Sequence, residues 1–395
     1  MALADSYLAG ISAAGNPGVI TVYELGVGIP VNMDEALYML DPDDVPLLAG
    51  IGGDGVPTIG TGEALDAIEF NWLDDNYLLP RSLLGGAATT GDTSILVQSG
   101  HQKRFATGDI VRVVKAGTAS ETMLVTGYSA TTADTIVVSR ALVGTATNYS
   151  SGATIIVTGS ALSEGSDPEK GRANDRIENE NNTQIFGPTA VQMSRTETQI
   201  RKYGVPNEYN HQLMKRMREQ WISAEQALLL GLRYNNTAAR KRTTGGLDYF
   251  ITTNADTTNT QSNLTNITTL QKTNYNAGGV PAVAVINPIS LNDINDPANT
   301  TILQQEVDDP MRGRRRVSYV VTEFGNLYIA RHRWMPTSHA FFIEPGRVKA
   351  RYLQRMVYVK GAVTGDSVSG FIVMELGFEV KGEEHMAKMT ALSYS

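Results

Sequence analysis

The 395-residue chain contains no cysteine. This absence excludes disulfides, thiolate metal sites and cysteine nucleophiles. The sequence also lacks an apolar run of about 18 residues, the length that a membrane-spanning helix requires. Its start has no basic segment followed by an apolar one, so no secretory signal is predicted. With 42% hydrophobic and 19% charged residues, the composition predicts a soluble globular protein of about two or three domains.

Basic residues are missing from the first 80 positions, which hold 13 Asp or Glu and no Lys or Arg. The rest of the chain has 28 acids and 33 bases, although the whole chain carries a net charge of −8. Residues 311–361 carry 11 bases against two acids, Glu323 and Glu344. An acidic segment and a basic one in the same chain favour head-to-tail association of copies, because opposite potentials steer and align an interface. Two independently solvated faces are the alternative.

Catalytic and ligand-binding motifs are also scarce. Residues 50–55 match the pattern G-x-G-x-x-G, but the following VPTIGTG cannot form the helix that a dinucleotide site requires. The five histidines show no HExxH or other metal-ligand spacing. We therefore predict no catalytic residue, cofactor or metal site. An enzyme whose groups converge from distant positions stays open as an alternative.

The longest helix signal is the stretch NEYNHQLMKRMREQWISAEQALLLGLRY, residues 207–234. Asn207 follows a proline and is a candidate N-cap. Apolar residues recur at steps of three or four and form one continuous apolar stripe. The stripe comprises Met214, Met217, Trp221, Ala224, Leu228 and Leu232, with Lys215, Arg216, Arg218, Glu219 and Glu225 off it.

Short β patterns surround this helix. Residues 83–160 have little charge and alternate strand-like runs with turn residues, which predicts a small antiparallel barrel or sandwich. Residues 64–79 are predicted as a strand that pairs with a returning strand within residues 161–206. PAVAVINP (281–288) is predicted as a buried strand, 291–306 as a helix, and 340–343, 348–359 and 368–381 as closing antiparallel strands.

Three local pieces, together with this order of elements, resemble the major capsid proteins of tailed bacteriophages, which share the HK97 fold. The pieces are DEALYMLDPDDVPLLAGI near the start, the long helix, and RKRTTGGLDYFI at residues 240–251. The resemblance implies an α+β, HK97-like capsid fold with a small all-β insertion domain. Its parts are an N-terminal arm (1–60), an extended loop (61–82 and 165–206), the insertion domain (83–160), a spine helix of the peripheral domain (207–242), an axial domain (243–338) and peripheral-domain strands (339–395).

The resemblance further implies a structural protein of the virion capsid, made in the host cytoplasm and without enzymatic activity. Copies are expected to form the hexamers and pentamers of an icosahedral shell around double-stranded DNA, which they contact non-specifically. Scaffolding, portal and decoration proteins are the expected further partners. An encapsulin-like cellular compartment is the nearest alternative, and a DNA-binding protein that uses the arginine clusters is a more distant one.

Charge asymmetry then suggests which residues meet between subunits. The acidic candidates are Asp66, Glu69, Asp74 and Asp75, and the basic candidates are Arg312, Arg314, Arg315 and Arg316. We expect the acidic segment of one copy to contact the 311–361 region of the next.

Overall fold

The computed structural model describes residues 42, 44–50, 58–160, 164, 176–200, 202, 204–290, 319–362 and 365–393. The chain forms two compact units. One comprises residues 69–181, and the other comprises the residues before and after them. Three sequence predictions lie outside the described residues: the helix at 291–306, most of the arm, and the cluster Arg312, Arg314, Arg315 and Arg316.

Strands dominate the described residues. The helices are α1 (Arg195–Gln199), α2 (Glu208–Leu230), α3 (Leu247–Phe250) and α4 (Leu264–Asn276). The strands are β1 (Gly60–Thr61), β2 (Glu69–Asp74), β3 (Arg81–Leu83), β4 (Ser94–Leu96), β5 (Asp109–Lys115), β6 (Thr118–Tyr128), β7 (Thr135–Val143), β8 (Thr154–Ser160), β9 (Ile177–Asn182), β10 (Gln184–Ser194), β11 (Tyr234–Asn236), β12 (Lys241–Thr243), β13 (Ala255–Asp256), β14 (Val283–Ile286), β15 (Tyr319–Thr322), β16 (Gly325–Arg331), β17 (Ala340–Ile343), β18 (Val348–Lys360), β19 (Ser367–Val380) and β20 (Ala387–Met389).

Helix α2 is the predicted long helix. Its N-cap is confirmed, because the Asn207 side chain accepts a hydrogen bond from the Asn210 N–H at 3.1 Å. The helix ends earlier than predicted, at Leu230. A Cβ on Gly231 would lie 2.3 Å from the Ala227 carbonyl oxygen, so this position tolerates only glycine without a shift of the backbone. Gly231 has an extended backbone conformation, and residues 244–246 approach this end of the helix closely.

The apolar stripe of α2 is only half buried. Its C-terminal part packs into the larger core through Ala224, Leu228 and Leu229. Each fully buried leucine contributes about 2 kcal/mol relative to an exposed one. Met214 is 64% exposed, and Leu232 lies beyond the helix and is 62% exposed. The apolar stripe that the sequence shows is therefore buried only towards the C-terminal end of α2.

A four-stranded sheet packs against α2 in the order β1-β18-β19-β10. β10 pairs antiparallel with β19, and β19 pairs antiparallel with β18. The strand that pairs with β2 is β9, which lies within the predicted range 161–206, although the apolar alternation that suggested a returning strand, from Ile185 to Arg195, belongs mainly to β10. β9 has the sequence IENENN, which lacks the apolar alternation that would have identified it.

A second, six-stranded sheet of the same unit has the order β13-β20-β17-β14-β16-β15. All four residues of β14 are buried, as the run VAVI predicted. Val283 and Val285 belong to the core that contains α2, whereas Ala284 and Ile286 face the core that contains α4. β17 and β20 belong to this sheet, so the predicted boundary at residues 338/339 falls within it.

Residues 81–160 of the other unit form one antiparallel sheet in the order β3-β8-β5-β6-β7-β4. Its edges meet, because the Gly85 N–H donates to the Leu96 oxygen and the Gln98 N–H donates to the Leu83 oxygen, each at 2.9 Å. The sheet is therefore a closed barrel, which removes its free edges. Its core is apolar and includes Phe105, Val111, Val113, Met123, Val125, Ile136 and Ile155.

A buried ion pair joins the neighbouring strands β6 and β7 of this barrel. The Arg140 guanidinium donates to both carboxylate oxygens of Glu121, which is fully buried. Glu121 also accepts hydrogen bonds from the backbone N–H groups of Ala141 and Thr147. Burial raises the pKa of Glu121, but these hydrogen bonds outweigh it and hold the pKa below its ordinary value. The carboxylate is therefore charged and fully partnered at neutral pH.

Replacing Glu121 with Gln is expected to destabilise the barrel by about 3 kcal/mol, because Arg140 is then buried without its counter-ion. Hydrogen exchange of the full chain, read by mass spectrometry, is expected to accelerate in peptides from residues 81–160. Lys115→Gln in the same sheet is the control and is expected to leave exchange unchanged. Equal protection of the Glu121→Gln barrel and the wild-type barrel would contradict the role of this pair.

Because of this pair, the stability of the barrel depends on pH. Because the folded pKa of Glu121 is lowered, its contribution is present above the ordinary pKa of a glutamate, about 4.3. This contribution is expected to disappear as the pH falls through the lower folded pKa, and the Glu121→Gln chain is expected to lack this part of the acid sensitivity.

Candidate inter-subunit surfaces

The carboxylate of Glu225 connects three parts of the larger unit. It accepts hydrogen bonds from the backbone N–H of Leu47 at 3.0 Å and of Leu48 at 3.2 Å. Nε2 of His332 lies 2.8 Å from the same carboxylate, and both side chains are fully buried. Glu225, which the apolar periodicity places off the stripe of α2, is therefore buried by its polar partners. A buried acid within an apolar stripe is stable only because every nearby partner is a donor.

Further contacts hold the segment around residue 47. The Trp334 indole donates to the Asp44 carbonyl oxygen at 3.0 Å, and the Arg333 guanidinium lies 2.9 Å from the Asp44 carboxylate. The Ile59 N–H donates to the Leu47 oxygen at 3.0 Å. The described part of the acidic N-terminal segment is thus fixed on its own chain by a buried contact and by surface contacts. The buried one carries most of the stabilisation, since exposed ion pairs contribute little.

The chain leaves and re-enters the larger unit at Ile68 and Thr183. The Thr183 N–H donates to the Ile68 oxygen at 2.8 Å, and its hydroxyl donates to the Glu375 carboxylate at 2.7 Å. Arg242 pairs with Glu375 and also donates to the Thr183 carbonyl oxygen at 2.9 Å. Arg242 is the last residue of the basic run Arg240, Lys241 and Arg242, and this pairing gives it a structural role within the chain.

All four acidic contact candidates lie at the surface, in or beside β2: Asp66, Glu69, Asp74 and Asp75. Asp74 accepts a hydrogen bond from the Asn179 amide at 2.8 Å. Asp75 lies 3.6 Å from the Arg176 guanidinium, and both side chains are more than half exposed. These intrachain contacts are weak enough for a second partner to join or replace them.

Several bases of the 311–361 region pair within the chain. Arg347 contacts Glu344 at 2.7 Å, and Arg351 contacts Glu379 at 3.1 Å. Arg333 contacts Asp44, as described above. The bases that stand at the surface of β18 without an ion pair among the described residues are Lys349, Arg355 and Lys360.

No group of three or more His, Asp or Glu side chains in the described ranges is arranged to hold a metal ion. Helices in those ranges are also all too short or too polar to cross a membrane. The functional features that the sequence missed are the hydrogen-bonded anchors at Glu225 and Glu375. The only sequence signal for the first was a single acid within AEQALLL.

Replacing Glu225 with Gln is expected to release the segment around Leu47. The amide NH2 of Gln faces groups that are themselves donors, so the free energy of unfolding is expected to fall by about 3 kcal/mol. Hydrogen exchange and limited proteolysis of residues 44–50 are expected to accelerate. Glu219→Gln on the exposed side of the same helix, where Glu219 pairs with Arg216, is the matched control. Unchanged protection of residues 44–50 in the Glu225→Gln chain would contradict the anchor.

Comparison with solved structures gives similar chains from phage capsids and from an encapsulin. A structure from Mycobacterium phage Adephagia has a TM-score of 0.49 and 10% identity, covering 96% of this chain and 99% of that chain. The capsid of Myoviridae phage XM1 has a TM-score of 0.46 and 9% identity, covering 95% and 100%. The SrpI encapsulin complex of Synechococcus elongatus PCC 7942 has a TM-score of 0.39 and 10% identity, covering 56% and 80%. No curated protein matches the chain.

Comparison with protein families gives a match over nearly the whole sequence. The model of the SU10 major capsid protein family matches residues 16–393. The match spans both compact units and the connections between them. The chain belongs to the SU10 major capsid protein family, and it is a phage major capsid protein.

Proposed function

We propose that the chain has the HK97-like plan that its sequence suggested. In this plan α2 belongs to the spine helix, and β18 and β19 beside it belong to the peripheral domain. The extended loop comprises residues 61–82 and 165–206, and the barrel of residues 83–160 is an insertion domain within that loop. Residues 243–338 supply most of the axial domain, with β17 and β20 completing its sheet. The supporting observations are the two anchored ends at Ile68 and Thr183 and the separate core of the barrel.

Copies of the chain assemble into hexamers and pentamers that close an icosahedral shell around the double-stranded DNA of a tailed phage. The family match over residues 16–393 is the observation that carries this proposal. The protein acts in the virion capsid after assembly in the host cytoplasm, as a structural protein without catalysis. Scaffolding, portal and decoration proteins are its further partners, and it contacts the DNA non-specifically.

Between neighbours, the acidic segment of one copy lies on the basic region of the next. Asp66, Glu69, Asp74 and Asp75 are the acidic contacts, and the bases are those of residues 311–361. Arg355 and Lys360 support this assignment, since both are exposed on β18. Arg312, Arg314, Arg315 and Arg316 are the proposed contacts outside the described residues. Opposite charges on distinct parts of one chain favour a head-to-tail contact that closes into a ring.

Expression of the full chain, alone and with candidate scaffolding proteins, tests this function. Light scattering after size-exclusion chromatography and negative-stain microscopy are expected to show rings of five or six copies or closed shells. Nuclease-protected DNA inside particles from infected cells supports a virus, whereas enclosed protein cargo supports a compartment. A monomer that persists with the scaffolding protein present would contradict the proposal.

Reversing Asp74 and Asp75 to Lys is expected to reduce assembly while the monomer stays soluble, because like charges then meet the basic region of the neighbour. Shell yield is measured by sedimentation of equal amounts of protein. The variant with Asp74→Asn and Asp75→Asn is the control, because it removes the negative charges without adding positive ones. Its shell yield is expected to fall less than that of the reversed variant. Shells formed in wild-type yield by the reversed variant would rule out this contact.

A further inference from the structure

The barrel presents an outer face on which apolar and basic side chains alternate. Cross-strand pairing places Arg81 beside Ile156 and Ile156 beside Arg112, on β3, β8 and β5. The next row contains Leu83, Thr154 and Val114 on the same strands. Leu96 lies diagonally across from Leu83, where the barrel closes. We call this surface the basic barrel face: Arg81, Leu83, Leu96, Arg112, Val114 and Ile156.

The apolar residues of the basic barrel face are exposed to solvent. Leu83 is 44% exposed, Leu96 40%, Val114 42% and Ile156 37%. Neither arginine forms an ion pair with a carboxylate of the described residues, although Arg112 donates to the Ser120 hydroxyl at 2.6 Å. An apolar centre with arginines beside it has the composition of a protein-binding surface.

The ribbon of β2 and β9, in the same unit, carries the opposite charge. Alternation along β2 buries Phe70 and Trp72 on one side and exposes Glu69, Asn71 and Leu73 on the other. The Asn71 amide donates to Glu178 at 2.8 Å, which places Glu178 on the exposed side, and Glu180 shares that side two residues later. Leu73 is 58% exposed. We call this surface the stem glutamate face: Asn71, Leu73, Glu178 and Glu180.

We propose that the basic barrel face of one copy binds the stem glutamate face of a second copy. The inference rests on the proposed function and names the partner of the barrel within the shell. Both faces combine exposed apolar side chains with charge of a single sign, and the signs are opposite. Contact between two basic barrel faces would bring Arg81 and Arg112 together with their copies, which charge repulsion disfavours. Two different faces on one chain give a head-to-tail contact, the kind that closes rings.

Charge reversal on either side tests the contact. Arg81→Glu with Arg112→Glu, or Glu178→Lys with Glu180→Lys, is expected to lower the yield of rings and shells about tenfold or more. A chain that carries all four substitutions is expected to recover most of that yield, because the charges are opposite again. Arg81→Lys with Arg112→Lys keeps the sign of the charge and is expected to assemble normally.

A cross-link locates the contact directly, because the natural chain has no cysteine. Assembled full-length chains with Leu73→Cys and Ile156→Cys are oxidised and separated without reductant. The double variant is expected to give a ladder of linked copies, since each chain joins one neighbour through each face. The single variants are expected to give no ladder.

The outcomes separate this inference from the function on which it rests. If wild-type chains assemble while both charge-reversed variants assemble equally well and no ladder forms, the contact is wrong and the shell function stands. If wild-type chains form neither rings nor shells with their scaffolding protein, the function and the contact are both overturned. The contact would be established by three results together. The yield of shells falls in each variant that reverses one face, the yield recovers when both faces are reversed, and the double-cysteine chain gives a ladder.

Discussion

One buried carboxylate, that of Glu225, fixes how the larger unit is put together. It lies on the apolar side of α2, where an unpartnered charge would cost several kcal/mol. Leu47, Leu48 and His332 supply the donors that offset this cost. These contacts therefore join the helix, the segment before β1 and the chain after β16 within one core.

A second set of polar contacts fixes the two points where the chain enters and leaves the smaller unit. Ile68, Thr183, Arg242 and Glu375 form one hydrogen-bonded group, so the ends of the excursion are held at the sheet of β10, β18 and β19. Beyond these ends, the barrel has its own apolar core and its own buried pair, Glu121 and Arg140. An inserted segment with an independent core can acquire a binding surface without disturbing the cores of the larger unit.

The sequence predicted those elements whose stability comes from local pattern. Helix α2 with its N-cap Asn207, the buried strand β14 and the long strands β18 and β19 follow from apolar periodicity and capping chemistry. The predictions from the sequence fail where interactions between polar groups determine the structure. β9 pairs through a sequence of glutamates and asparagines, and Glu225 is buried because of partners more than 100 residues away. Such partners leave no periodic signal, so only the folded chain identifies them.

The most direct test of this account is a cryo-electron microscopy reconstruction of particles assembled from the full-length chain. The account predicts rings of five and six copies in which each Glu225 contacts Leu47, Leu48 and His332 of its own chain. It also predicts that acidic surfaces around β2 lie against basic surfaces of a neighbouring copy. Particles in which Glu225 has lost these partners, or in which the acidic surfaces of β2 face only solvent, would contradict it.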